Sequence, residues 1–142
     1  MLKLYRTEDL QGIHELDRAV FPADRAIKDA ELAAAEWWLV EWEGTPIAYG
    51  GIKLIPKEKR GLLVRAGVLH NFRGAGLQKR LIRARIRHAK RNGFPRVTTY
   101  VHVGNHASMR SLISCGFRPY RTEQHIAGPF IHFETCRRVD TA

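Results

Sequence analysis

The chain has 142 residues, enough for one compact domain and too few for two of ordinary size. Apolar residues make up 44 % and charged residues 27 %, which excludes a disordered or fibrous chain; no apolar run approaches the roughly 20 residues that span a bilayer. The formal net charge is +10, a value that points to a polyanionic ligand, partner or surface.

In chain order the pattern alternates between strands and helices. Leu2 to Arg6 alternates as an opening strand, and Thr7 can cap a helix carrying Leu10, Ile13, Leu16 and Val20, with Glu8 and Asp9 in its first turn. Phe21-Pro22 ends that helix. The Ala-rich run 29–36 reads as a short helix by propensity. Trp37 to Glu43 and Ile47 to Leu54 read as strands joined by a turn at Glu43-Gly44-Thr45-Pro46. A second turn, Pro56 to Lys59, leads into a strand over Gly61 to Val68. Leu77 to Asn92 is the longest helix, closed by Gly93 and followed by Pro95. Val97 to Val103 reads as a buried strand, Ala107 to Cys115 as a short helix ended by Gly116, and Phe130 to Arg137 as a last strand. Residues 1–142 therefore form a single mixed α/β domain.

Charge is unevenly spread along this pattern. Residues 1–58 hold seven Lys/Arg and eleven Asp/Glu, whereas residues 59–122 hold fifteen Lys/Arg and no carboxylate. Any catalytic carboxylate must then come from outside that second stretch. The segment Met1–Arg6 lacks the apolar region of a secretory leader. With Cys115 and Cys136 as the two cysteines, the expectation is a cytoplasmic protein with reduced thiols and no membrane partner.

The chemistry concentrates where the strand ending at Val68 runs into Arg73-Gly74-Ala75-Gly76-Leu77-Gln78 and the long helix begins. Glycines at a helix N-terminus let backbone N–H groups approach an anion, and the helix dipole favours negative charge there. Alone, such a loop also serves merely as a tight turn. It is followed, however, by Asn105-x-x-Ser108-x-x-x-Leu112-x-x-x-Gly116-Phe117.

The two motifs together, over residues 63–120, resemble the GCN5-related N-acetyltransferase (GNAT) superfamily. The resemblance implies an α/β (α+β) fold with a mixed, mostly antiparallel sheet of six or seven strands flanked by helices. It implies acetyl-CoA as co-substrate and no metal. Position by position, Ala66, Gly67 and Val68 match the strand that pairs with the pantetheine arm. Arg73, Gly74, Ala75, Gly76, Leu77, Gln78 and Lys79 match the pyrophosphate loop and first helical turn, and Asn105 matches a cofactor-contacting asparagine. Three positions depart from the family pattern: Gln78 stands where it has Gly or Ala, His70 where it has proline, and Leu112 where a tyrosine often protonates the leaving thiolate. A backbone N–H near Val68 is the expected oxyanion donor.

The family's usual glutamate, five residues before the asparagine, is replaced by Tyr100. Tyr100 and His102 share strand parity and face the same side. Imidazole titrates near pH 6.5 and phenol near 10, so His102 is the candidate base and Tyr100 the candidate acid. The competing reading makes both structural and gives the work to Glu41, Glu43 or solvent.

On the long helix Lys79, Arg80, Arg83, Arg87, Lys90 and Arg91 share one arc, and Leu77, Leu81, Ile82, Ala84, Ile86 and Ala89 fill much of the rest. Arg85 falls within the apolar arc and is expected to snorkel or to pair with a carboxylate from residues 1–58. The basic arc is a solvated face or a polyanion surface; aromatic interleaving for single-strand stacking is absent from it. His102 and His106 have a His-x-x-x-His spacing but no evident third ligand. Of Trp37, Trp38 and Trp42, one parity suits a core and the other a substrate wall. The expected function is acetyl transfer from acetyl-CoA to an amine acceptor by a monomer or homodimer. The alternatives are a basic nucleic-acid-binding protein on the same fold and a CoA-binding pseudoenzyme. The acceptor side is expected from residues 21–36, the hairpin at Gly44 and segment 120–130, with the acidic balance of 1–58 favouring a cationic acceptor.

Overall fold

A computed structural model describes residues 1–121 and 129–136. Seven strands form one sheet in the order β1-β2-β3-β4-β5-β7-β6. They are β1 (Leu2–Thr7), β2 (Glu36–Trp42), β3 (Thr45–Ile55), β4 (Arg60–Val68), β5 (Arg96–His102), β6 (Arg118–Tyr120) and β7 (Phe130–Glu134). All neighbours are antiparallel except β4 and β5. The helices are α1 (Leu10–Val20), α2 (Asp29–Ala33), α3 (Leu77–Arg91) and α4 (His106–Ser114).

Strand alternation divides the core between the two faces of the sheet. Val40, Ile52, Leu63, Val97, Val101 and Phe133 pack with Leu81 and Ile82 of α3 and Leu112 of α4. Trp37, Leu39 and Tyr49 pack on the other face with Ile13 and Leu16 of α1. Trp37 and Trp38 are thus both core, on opposite faces, while Trp42 stands exposed at the hairpin end; none forms a substrate wall.

Several boundaries differ from the sequence expectation for local reasons. Asp9, not Thr7, caps α1, its carboxylate accepting from Gly12 N–H at 3.0 Å, so the first turn holds no acidic residue. The Ala-rich helix stops at Ala33, because Glu36 is drawn into β2 opposite Ile52 and its carboxylate holds Arg6 and His88. The short strand β6 was not expected, its three residues being too few to show a period. The last strand ends at Glu134, and Arg137 lies outside the described residues, as do residues 122–128.

One irregularity creates the cleft. Gly50 pairs with Ala66 and Ile52 with Leu63, so β4 carries one extra residue at Val64–Arg65, a bulge that bends the strand. The parallel ladder between β4 and β5 stops at Leu62 and Thr98. Thr99 Oγ1 donates to Leu63 O at 3.2 Å across the first unpaired step, and beyond it the strands diverge.

Candidate functional site

The gap between β4 and β5 opens into a cleft of about 870 Å³. Its lining includes Ala66, Gly67, Val68, Arg73, Gly74, Gly76, Leu77, Gln78, Lys79, Tyr100, His102 and Asn105. Of the residues expected to bind the cofactor or to act as base and acid, with Glu41 and Glu43 of the competing reading set apart, Ala75 alone is not on that wall, although it lies between two glycines that are. His106 and the hairpin at Gly44 contribute nothing to the lining.

The anion end is built by the loop before α3. Gly74 and Gly76 hold φ of +84° and +77°, a left-handed region that penalises a Cβ, and Gly76 is the N-cap of α3. The cap makes no side-chain hydrogen bond, and the first turn holds no acidic residue. Arg80 N–H is the first to turn inward, donating to Gly76 O at 3.2 Å. The N–H groups of Leu77, Gln78 and Lys79 are therefore left pointing out of the helix end. Arg73 Nε donates to Val68 O at 3.1 Å, tying this loop to the end of β4.

Backbone direction supplies a second set of donors. Leu69 N–H donates to Ile47 O at 2.9 Å toward β3. Strand alternation then turns the N–H groups of Ala66 and Val68 to the opposite edge, into the gap. Val68 O, bonded by Arg73 from outside the ladder, agrees with that direction.

Tyr100 and His102 stand on the face opposite α3, both exposed. Gly104 N–H donates to His102 Nδ1 at 3.0 Å, which places the proton of the neutral ring on Nε2. Asn105 Oδ1 accepts from Ser108 N–H at 3.1 Å and caps α4, so its oxygen is committed to the fold while the residue still borders the cleft. Leu112, at the position of the family's tyrosine, is buried among the α3-side core.

Arg85 corrects an expectation. It is 2 % exposed and neither snorkels nor meets a carboxylate: Nη1 donates to Gly51 O at 2.8 Å and Nε to Leu81 O at 3.1 Å. Gly50 makes the room, since a Cβ there would sit 2.9 Å from the Arg85 guanidinium carbon. Burial pushes its pKa down to about 10, which still leaves it cationic at neutral pH.

Sequence reading missed a buried ion pair that fixes the other wall. Asp17 in α1 has no accessible surface; it accepts from Arg65 at 2.8 and 3.1 Å, from Ile27 N–H at 3.0 Å and from the Tyr49 hydroxyl. The Arg65 guanidinium lies 3.9 Å over the Phe21 ring and donates to Arg25 O. These bonds clamp segment 21–27 against β3 and β4. An aspartate inside an amphipathic helix and an arginine in a strand were the only signals, and neither has a spacing that links them.

The sequence profile of the acetyltransferase (GNAT) family matches residues 3–117. The chain belongs to that family. A mycothiol acetyltransferase from Nocardiopsis dassonvillei is 31 % identical over 102 residues, covering 72 % of this chain; the chain spans only 29 % of that relative's length. The fold is similar to that of the ribosomal-protein-S18-alanine N-acetyltransferase from Escherichia coli, with TM-score 0.77, 15 % identity, and 94 % and 92 % of the two chains covered. It is also similar to a PaiA N-acetyltransferase from Thermoplasma acidophilum solved with coenzyme A, with TM-score 0.73, 15 % identity and 94 % and 98 % coverage. Among the described residues no His, Cys, Asp and Glu cluster could hold a metal ion, and no helix is long and apolar enough to cross a membrane.

Proposed function

We propose that this chain moves an acetyl group from acetyl-CoA to an amine. The observation that carries this reading is the uncapped N-terminus of α3, held open by Gly74 and Gly76, facing the gap where β4 leaves β5. A pyrophosphate fits the N–H groups of Leu77, Gln78 and Lys79, with Arg73 and Lys79 supplying countercharge. An extended pantetheine arm would run along the unpaired edge of β4 at Ala66–Val68. Gln78 then has to turn its side chain away from the phosphates.

In the reaction the amine nitrogen attacks the thioester carbonyl carbon, a C–N bond forms and the C–S bond breaks. The Ala66 or Val68 N–H meets the developing oxyanion. His102 takes the ammonium proton before attack; it does so at Nδ1 and gives up the Gly104 bond. The Tyr100 hydroxyl protonates the departing thiolate, in place of the tyrosine absent at Leu112, and the proton released from nitrogen restores the phenol.

The test is amine-dependent release of CoA from acetyl-CoA, with the N-acetyl product identified by mass. His102→Gln should lower kcat/KM about 10²-fold with CoA affinity intact. CoA binding without any amine-dependent release would support a CoA-binding pseudoenzyme instead. The cytoplasm is the proposed setting.

A further inference from the structure

The acceptor end of the cleft has a chemistry of its own. Tyr100 and His102 alternate with Thr99 and Val101, so they leave the sheet on the face that carries α1. Across the ladder Tyr100 pairs with His132 and His102 with Phe130, and Tyr120 of β6 also pairs with His132. The rings meet as an array: Tyr100–Phe130 at 5.7 Å and 90°, His102–Phe130 at 5.9 Å and 89°, Tyr120–His132 at 5.8 Å and 75°. Of these rings Tyr100 and His102 line the cleft, and the edge-to-face contacts of the rings packed beside them hold both in place. Tyr100 and Phe130 remain 48 % and 39 % exposed, large areas for an internal strand and its neighbour. Helix α1 packs on β3 and β4, away from these rings, and the opposite wall of the cleft is Val20, Phe21 and Val64.

Charge disfavours one acceptor class. Among the described residues the cleft is lined by no Asp or Glu. Asp17 is buried and held by Arg65, and Glu134 faces Arg96 at 3.5 Å. Burial holds His132 below the ordinary imidazole value, and the Arg60 cation lowers it further. None of the carboxylates of residues 1–58 that favoured a cationic acceptor lines the cleft, and three are engaged elsewhere: Glu36 with Arg6 and His88, Glu41 with Tyr5, Glu58 with Arg60. A second ammonium on the acceptor would be desolvated here without a counter-ion.

We infer that the acceptor is an amine with an aromatic body and no second cationic group. This rests on the acetyl-transfer reading and names the substrate class of the same site. The experiment measures calorimetric binding to the CoA-loaded protein, and kcat/KM with acetyl-CoA, for 2-phenylethylamine, propylamine and spermidine. The expected result is a preference of roughly tenfold or more for 2-phenylethylamine over both others. Phe21→Leu, on the opposite wall, should raise KM for 2-phenylethylamine about tenfold more than for propylamine, with CoA affinity unchanged. If CoA fails to bind, the acetyl-transfer reading itself falls. If CoA binds and spermidine or propylamine serves as well as 2-phenylethylamine, or 2-phenylethylamine does not bind, or Phe21→Leu leaves the preference intact, this inference alone is overturned.

Discussion

Asp17 shows how much one side chain can decide. Burial alone would raise its pKa, but the bonds from Arg65, Tyr49 and the Ile27 N–H outweigh it and hold the carboxyl below its ordinary range. A depressed folded-state pKa stabilises the protein fully above the ordinary carboxylate value, and the gain is lost as pH falls through the folded value. Asp17→Asn should therefore cost about 3 kcal/mol at neutral pH, by leaving Arg65 facing a neutral amide, and should flatten the acid loss of stability. Urea unfolding of both proteins between neutral pH and about pH 2 checks both statements. None of this was legible in the sequence, because the contact joins residues 48 positions apart. Arg85 was half legible: periodicity put it on the apolar side, but its partners are backbone carbonyls, which no side-chain pattern announces.

At the scale of elements, α3 was readable to within a residue because an apolar stripe, a glycine start and a glycine stop agree. The bulge in β4 was not, since an extra residue in a ladder leaves the composition unchanged. Yet the bulge and the early end of the β4–β5 ladder open the cleft that the glycine loop serves. The outer face of α3 carries exposed Arg80, Arg83, Arg87 and Lys90, and pairing with a carboxylate is absent for all four among the described residues. As a solvated face it should tolerate neutralisation. The variant with Arg83→Gln, Arg87→Gln and Lys90→Gln should keep kcat/KM within about twofold, and the parent should bind duplex DNA or RNA only feebly at physiological salt. Tight, steeply salt-dependent binding, lost in the triple variant, would instead favour the nucleic-acid reading.

Across the whole molecule the two sides of the sheet divide the work. The face under α3 and α4 presents glycine loop, helix dipole and cations; the face under α1 presents aromatic rings and a clamped loop; the gap between β4 and β5 joins them. The succession of strands along the chain, β6 apart, and the glycine loop were visible in the sequence because each is local. The proposed acceptor end was legible only in part: segment 21–36 supplies Phe21, but Val20, Val64, Tyr100 and His102 meet it only in the folded sheet.

The central claim is that the loop at the start of α3 holds the phosphates of CoA. Calorimetric titration of CoA into the wild type, Gly76→Asp and Gly76→Asn tests it most directly. Both substitutions carry the same left-handed backbone, which Asp and Asn tolerate comparably, so the pair separates charge from strain. The account predicts binding by the wild type, about tenfold weaker binding by Gly76→Asn and none detectable by Gly76→Asp at millimolar CoA. Equal affinity in all three proteins, or no CoA binding by the wild type, would contradict it.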